Sequence, residues 1–437
     1  MSDRYLDFAN SGLGGWLTGA LGLPRPLPLR RRAEAGATPV GPLLLGGRTR
    51  LSSLLQRLAG QWGVDLHATA DEGAAYGGLI FDASDIDRAA GAADLYRFFH
   101  EALRRLGPCG RMVVIGRPPE SMADAEGEAV QWGLEGFVRS LAKEAREGGT
   151  AQLLRIAHGA EEAAASSLAF FLSPRSAYVS GQVVSIAAAP PAPPAPPERR
   201  RVLITGASRG IGEAMARLFA AEGHAVTALD APGAEADLRR LAIEIGAEAL
   251  SLDITAADAA MRLVDAARAA DGYDVVIHNA GITRDRTLAR MSAGEWDSVM
   301  AVNLGAPLAL TRALLDAGQI RPNGRIVAVS SLSGIAGNKG QANYALSKAG
   351  WIGAVRRLAA ETGHGITVNA VAPGFIETRM TAAIPFAIRE AGRRMNSLGQ
   401  GGQPIDVAET ALWLAGADNG GVNGAVVRVC GQSLLGA

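Results

Sequence analysis

Short apolar runs recur along the second half of the chain: "RVLIT", "HAVTALD", "EALSLD", "YDVVIHNAG", "GRIVAVSS", "GITVNAVAPG" and "GAVVRVCG". Segments with helical spacing separate them, so that "RVLITGASRGIGEAMARLFAAEG" reads as strand, glycine turn, helix. Strands alternating with helices predict an α/β fold built on a parallel, doubly wound sheet. The first half repeats pieces of this plan in the same order. "YGGLIFDAS" (76–84) matches "YDVVIHNAG" (273–281), and "GRMVVIGR" (110–117) matches "GRIVAVSS" (324–331). "GLEGFVRSLAKE" (133–144) matches "GWIGAVRRLAAE" (350–361), and "LAFFLSPRSAYVSGQVVSI" resembles "ALWLAGADNGGVNGAVVRV". Four ordered matches make the N-terminal half a worn copy of the C-terminal one.

Between the halves, "AAAPPAPPAPPERRR" packs six prolines between Pro190 and Pro197. Such a tract favours extended polyproline II and acts as a semi-rigid spacer. The expected division is therefore a domain over 1–188, a linker over 189–199 and a second domain over 200–437. The 437 residues are 48% hydrophobic and 20% charged, with 43 basic against 43 acidic side chains. A net charge of zero argues against a nucleic-acid binder, which carries a basic excess. Cys109 and Cys430 alone cannot build a disulfide framework and suit a reducing compartment. No run of eighteen apolar residues is present to span a bilayer. The opening "MSDRYLDFANSGLGGWLTGALGLP" carries Asp3 and Asp7 where a signal peptide needs a basic region, so it reads as a docking arm. A cytoplasmic protein without membrane attachment is expected.

"TGASRGIG" (205–212) places Gly206, Gly210 and Gly212 between a strand and a helix, with Ser208, Arg209 and Ile211 in the same turn. Glycines there permit a tight turn and close backbone approach, and the helix N-terminus favours a pyrophosphate. Further on, Tyr344 and Lys348 stand one helical turn apart, with Ser331 upstream in "SSLSGIAGNKGQANYALSKAG".

Together with "HNAG" (278–281), Asn303 and "PGFIET" (373–378), these motifs resemble the short-chain dehydrogenase/reductase family across Arg200 to Ala437. "NAGITRD", "GQANY" and "ITVNAVAPGFIET" are similar to 3-oxoacyl-[acyl-carrier-protein] reductases, and the two-domain layout resembles their high-molecular-weight subgroup. The resemblance implies a Rossmann-type C-terminal domain, with the N-terminal domain a degenerate Rossmann or flavodoxin-like α/β unit. It also implies a catalytic set of Asn303, Ser331, Tyr344 and Lys348.

Reducing a ketone needs a hydride on carbon and a proton on the developing alkoxide. Tyr344 is the expected proton donor, and Lys348 and the oxidised nicotinamide are together expected to pull its pKa from near 10 toward working pH. Ser331 would hold the substrate carbonyl, and Asn303 resembles the residue that links Lys348 to a proton relay. Asp230, closing "HAVTALD", would accept hydrogen bonds from a ribose 2′-hydroxyl and repel a 2′-phosphate, which favours NADH over NADPH. Arg209 sits where many NAD-dependent relatives also carry arginine. Asp253 and Ile254 of "SLDIT" resemble the adenine-contacting pair, and Asn279, Ala280 and Gly281 the stretch beside the cofactor. Pro373, Gly374, Ile376 and Thr378 resemble the loop that holds the nicotinamide carboxamide. No metal enters this scheme.

The stretch 381–404 falls where the family has a substrate lid, and its Arg389, Arg393 and Arg394 suit the phosphates of coenzyme A or a phosphopantetheine arm. The first domain keeps none of this chemistry: the repeats set Gly127 opposite Tyr344, Gln131 opposite Lys348 and Arg117 opposite Ser331. The expectation is NADH-dependent reduction of 3-oxoacyl thioesters, on acyl carrier protein or coenzyme A, by a homodimer. Alternatives are a 3-hydroxyacyl-CoA dehydrogenase or other ketoreductase of the family, and a non-catalytic dinucleotide-binding scaffold.

Overall fold

Seven of the thirteen strands among the described residues fall on the apolar runs of the second half. The structure is a computed structural model and describes residues 3–23, 25–48, 50–71, 73–189, 199–382 and 385–433; the linker residues 190–198 lie outside these. The strands are β1 (Leu43–Gly47), β2 (Leu66–His67), β3 (Tyr76–Asp82), β4 (Leu106–Gly116), β5 (Thr150–Ile156), β6 (Gln182–Ile186) and β7 (Arg201–Thr205). Then follow β8 (Ala225–Asp230), β9 (Glu248–Ser251), β10 (Tyr273–His278), β11 (Ile320–Val329), β12 (Thr367–Pro373) and β13 (Val426–Val429). Two sheets form, ordered β2-β1-β3-β4-β5-β6 and β13-β12-β11-β10-β7-β8-β9.

The second sheet is the doubly wound Rossmann arrangement, its strand order reversing between β7 and β10. Pairing is parallel from β9 through to β12. Val275, Val276 and Ile277 of β10 are fully buried, as a strand covered by helices on both faces requires. The first sheet has the flavodoxin-like order, equivalent to the second with one strand unit missing.

The two sheets share details that unrelated folds would not. The β3–β4 register slips between Tyr76 and Gly78, and the β10–β11 register slips between Tyr273 and Val275. Each slip comes with a left-handed residue before a glycine: Cys109 at φ 55° and Asn323 at φ 58°. Their N–H groups donate to Glu147 O and His364 O, both at 2.8 Å, from residues that are left-handed in their turn. Both long helices, Ala125–Glu144 and Ala342–Glu361, have 20 residues. These repeats of strain and pairing support duplication.

Compactness divides the chain into Met1–Ala189 with Met380–Gly402 and Val429–Leu434, and Pro190–Arg379 with Gln403–Arg428 and Leu435–Ala437. The stretch expected to belong wholly to the C-terminal domain thus gives 380–402 to the first unit. The reason is a set of polar ties: Arg394 to Asp3, Gln400 Nε2 to Leu27 O at 2.8 Å, and Asn396 Nδ2 to Tyr178 Oη at 3.2 Å. The helical stretch Ala293–Asp316 is long and apolar enough to cross a membrane by composition alone, but Leu310 and Leu314 are buried in the core of the second unit.

Candidate active site

At the end of β7 the chain must turn sharply against β10. Gly206 takes φ 65°, and a Cβ there would lie 2.8 Å from Ala280 Cα. A Cβ on Gly212 would lie 2.1 Å from Gly206 O, so only glycine closes this turn onto the helix Gly210–Ala221. Asn279 stitches the turn in place, its Nδ2 donating to Thr205 O and Gly206 O at 3.1 and 2.9 Å. Thr205 completes the stitch: its Oγ1 accepts from the N–H groups of Asn279 and Ala280, both at 3.1 Å. Sequence reasoning passed over Thr205, although it heads the glycine motif.

Arg209 is the N-cap of that helix and makes no side-chain cap, which leaves first-turn N–H groups for an anion. The Ser208 hydroxyl is buried without a partner. An uncompensated buried donor beside a glycine turn fits a dinucleotide phosphate. Asp230, closing β8, faces the same turn: Oδ2 accepts from Ser208 N at 2.9 Å and Oδ1 from Ala231 N at 2.8 Å. Asp253 Oδ1 accepts from both the N–H and the hydroxyl of Thr255, at 2.9 and 2.7 Å, and these bonds hold its pKa below the usual range. Ile254 beside it is buried. β12 ends at Pro373, and the loop through Gly374 and buried Ile376 brings Thr378 beside the glycine turn, its Cγ2 4.0 Å from where a Gly210 Cβ would stand.

The other half of the site lies on the helix Ala342–Glu361. Tyr344 is hydrogen-bonded to Ser331, which itself caps the helix Leu332–Ala336 by accepting from Ser333 N at 3.1 Å. Lys348 is buried; its Nζ donates to Val329 O at 2.8 Å and lies 5.7 Å from the Tyr344 ring centroid. Asn303 occupies a π-helical turn, Ala301–Gly305, which swings its side chain inward. Its Oδ1 accepts from Ile282 N at 2.8 Å; its Nδ2 donates to Ile282 O at 3.0 Å and Ser347 Oγ at 3.2 Å. Gly281 lets the two groups approach: a Cβ there would be 3.3 Å from both Asn303 Oδ1 and Lys348 Nζ. Trp351 Nε1 donates to Asn303 O at 2.9 Å, and His278 stacks on Trp351 at 5.4 Å. Neither support was visible in the sequence.

The electrostatics show what the protein's own groups contribute at Tyr344 and Lys348. Burial raises the Tyr344 pKa and the charge of Asp285 raises it further, while the bond with Ser331 works the other way. The chain's own groups therefore hold the phenol up. Lys348 pays the same desolvation and falls from 10.5 to about 8. It still carries its charge at neutral pH, and a protonated phenol is the form that can donate.

The lid arginines also differ from expectation. Arg393 pairs with Glu390; Arg394 pairs with Asp3 and Glu390 and lies over the Tyr5 ring at 4.7 Å. Both are spent inside the first unit. Only Arg389, 5.8 Å over Phe386, has no ion pair among the described residues. In the first unit, Gln131 takes the place of Lys348: fully buried, it binds Ala83 O, Ile86 O and Arg117 N at 2.7–2.9 Å. That amide is a structural substitute with no acid–base capacity.

Comparison with known proteins agrees with this geometry. The family described as enoyl-(acyl carrier protein) reductase matches residues 206–431, more than half of the chain. The chain is similar to the mouse (Mus musculus) (3R)-3-hydroxyacyl-CoA dehydrogenase, 43% identical over 244 residues that cover 52% of this chain and 94% of that protein. It is similar to the 3-oxoacyl-[acyl-carrier-protein] reductase FabG of Thermotoga maritima, 42% identical over 247 residues, covering 54% and 99%. The Escherichia coli reductase of that name is 39% identical over 240 residues, covering 54% and 97%. A glycine turn stitched by Asn279, a half-buried Tyr344 one turn from buried Lys348 and beside Ser331, and these matches place the chain in the short-chain dehydrogenase/reductase family of oxidoreductases, which act on CH–OH groups with a nicotinamide dinucleotide.

Proposed function

We propose that this protein reduces 3-oxoacyl thioesters, carried on acyl carrier protein or coenzyme A, to 3-hydroxyacyl thioesters, with NADH in preference to NADPH. The observation that carries this reading is the placement of the Tyr344 phenol beside Ser331 and one turn from Lys348, whose Nζ lies 5.7 Å from the ring centroid. A nicotinamide, when bound, supplies a hydride to the carbonyl carbon. The Ser331 hydroxyl donates to the carbonyl oxygen and fixes its position. Tyr344 gives its proton to that oxygen as charge develops there, which completes the alcohol. Lys348 stabilises the phenolate left behind, and Asn303 keeps the lysine side of the site in register through Ile282 and Ser347.

The thioester preference comes from the relatives named above, whose substrates are 3-oxoacyl or 3-hydroxyacyl groups. The cofactor preference rests on Asp230, whose charge at the rim of the glycine turn opposes a 2′-phosphate. Acetoacetyl-CoA with NADH tests both. Turnover well above that with a simple ketone, and faster with NADH than NADPH, is expected; no thioester-dependent NADH loss overturns the reading. The same site run backward oxidises 3-hydroxyacyl-CoA, the reaction in the mouse relative's name, and the ratio of the two rates separates the directions.

A further inference from the structure

We propose that the N-terminal unit carries a second binding site, for a small organic cation with an apolar or aromatic body, at the switch point of its own sheet. In that sheet the strand order reverses between β1 and β3, and Gly47 pairs with Asp82 at their C-terminal ends. Ligands of open α/β sheets enter at this place. A cavity of about 550 Å³ opens there; Gly47, Phe81, Asp82 and Phe98 line it, together with a mixed set of Asp85, Asp87 and Asp94 and Arg48, Arg88 and Arg97. That volume suits a small molecule.

Asp82 makes the cavity a site. It is 2% exposed, and its Oδ1 accepts from Ser84 N at 2.9 Å. Its Oδ2 is buried without a hydrogen-bond partner, as is the hydroxyl of fully buried Ser84. Each of the other lining carboxylates already has an arginine: Asp85 with Arg117, Asp87 with Arg88, Asp94 with Arg97. Among the described residues Asp82 has no ion pair, and Arg48 at the mouth is exposed and makes no bond to it. A buried carboxylate left so is costly unless a cation or strong donor meets it.

The duplicate site shows what changed. Asp82 stands at the position of Asn279, whose amide in the second unit is used up in tying the glycine turn. A carboxylate cannot donate to that turn, so here one oxygen is left without a partner in a residue that lines the cavity. The backbone still approaches closely, since a Cβ on Gly47 would lie 2.1 Å from Asp82 O. Phe98, packed 5.2 Å from Phe81, supplies an aromatic wall that favours a cation or a flat apolar group.

The test uses the full chain with phenethylamine as the probe and phenylacetate as the charge-reversed control, read by calorimetry and ligand-observed magnetic resonance. Phenethylamine is expected to bind with a dissociation constant on the order of millimolar, as a fragment of this size does, and phenylacetate not at all. Asp82→Asn, nearly isosteric, should weaken the amine about tenfold, while circular dichroism and reductase turnover stay those of the wild type. Phe98→Ala provides a second variant and should weaken it too. No amine binding to the wild type, equal binding by phenylacetate, or affinity unchanged in both variants overturns the proposal.

Discussion

Arg394 grips the carboxylate of Asp3 through both terminal nitrogens, Nη1 to Oδ2 at 2.6 Å and Nη2 to Oδ1 at 2.7 Å. These residues are 391 positions apart, and the fork-to-fork geometry is the strong form of an ion pair. It fastens the helix Phe386–Arg394, at the sequence position of a substrate lid, to the N-terminal arm. Burial opposes ionisation of Asp3, but the hydrogen bonds from Arg394 and Leu6 and the nearby positive charges bring its pKa below the usual value.

The first prediction is that this arm restrains the lid. Asp3→Asn should raise amide exchange in Phe386–Arg394 by about tenfold, a 1.4 kcal/mol effect, and change KM for the thioester more than kcat. Because the folded Asp3 pKa is lowered, the pair's contribution is present above the ordinary carboxylate range and is lost as pH falls through the depressed value. Wild-type protection should thus persist near pH 4 and fail below it. Exchange identical in variant and wild type sinks the idea.

Tyr344→Phe removes the proton donor and leaves the ring. Turnover should drop by about a hundred- to ten-thousand-fold, the usual share of general acid catalysis. NADH affinity, measured by fluorescence titration, should stay within about twofold, because no contact at the glycine turn is touched. Near-normal turnover would remove Tyr344 from the mechanism.

Lys348 makes a prediction in pH. Its folded pKa of about 8 lies below its unfolded 10.5, so the folded chain sheds this proton first and stability from this group rises between those values. The displacement corresponds to about 3 kcal/mol. Denaturation of the wild type at pH 7 and pH 10 should show that rise, and Lys348→Met should flatten it while abolishing turnover. Reduction by the wild type should weaken above about pH 8, as the charge that stabilises the phenolate is lost. An equal pH slope in both proteins would show that the ammonium is not held as described.

Much of this was legible because parallel strands buried on both faces read as plain apolar runs, and because Tyr344 and Lys348 need only one helical turn to meet. The π-helical turn at Asn303 was not, since nothing in "AVNLG" announces one extra residue per turn. Nor was the partition of 380–402, which depends on Arg394 finding Asp3 from the far end of the chain. The rise that burial gives the Tyr344 pKa was not legible for a related reason: a spacing shows who is near, but not how deeply a group is desolvated.

Asp230→Ala should cost NADH its advantage in two ways. The ribose loses an acceptor, and Ser208 N loses the Oδ2 that orders the turn. A hydrogen bond to a charged group is worth about 1.5–3 kcal/mol, so KM for NADH should rise about ten- to hundredfold. KM for NADPH should rise less or fall, because a repulsive charge has gone. A wild type that already prefers NADPH, or a variant with an unaltered ratio, contradicts the assignment of Asp230.

The last prediction concerns assembly. We propose a homodimer, and the duplication is the reason. Ala342–Glu361 and Ala125–Glu144 are counterpart helices of 20 residues, and each leaves one large apolar side chain outside: Leu346 at 48% exposure and Trp132 at 60%. An exposed apolar residue alone is ordinary, but a pair on matching helices is what two related interfaces would leave. Each chain then offers two versions of one contact surface, so two chains supply four similar units and need no further copies to close. Light scattering at micromolar concentration should give about 90 kDa, twice the 45.1 kDa chain. Leu346→Glu and Trp132→Glu together should shift the mass toward one chain, because a carboxylate in an apolar contact carries a desolvation cost on both sides. Leu346 lies two residues from Lys348, so activity is a poor readout for this variant and mass is the proper one. A wild-type mass near four chains, or a double variant that stays at two, would rule out these helices as the interface.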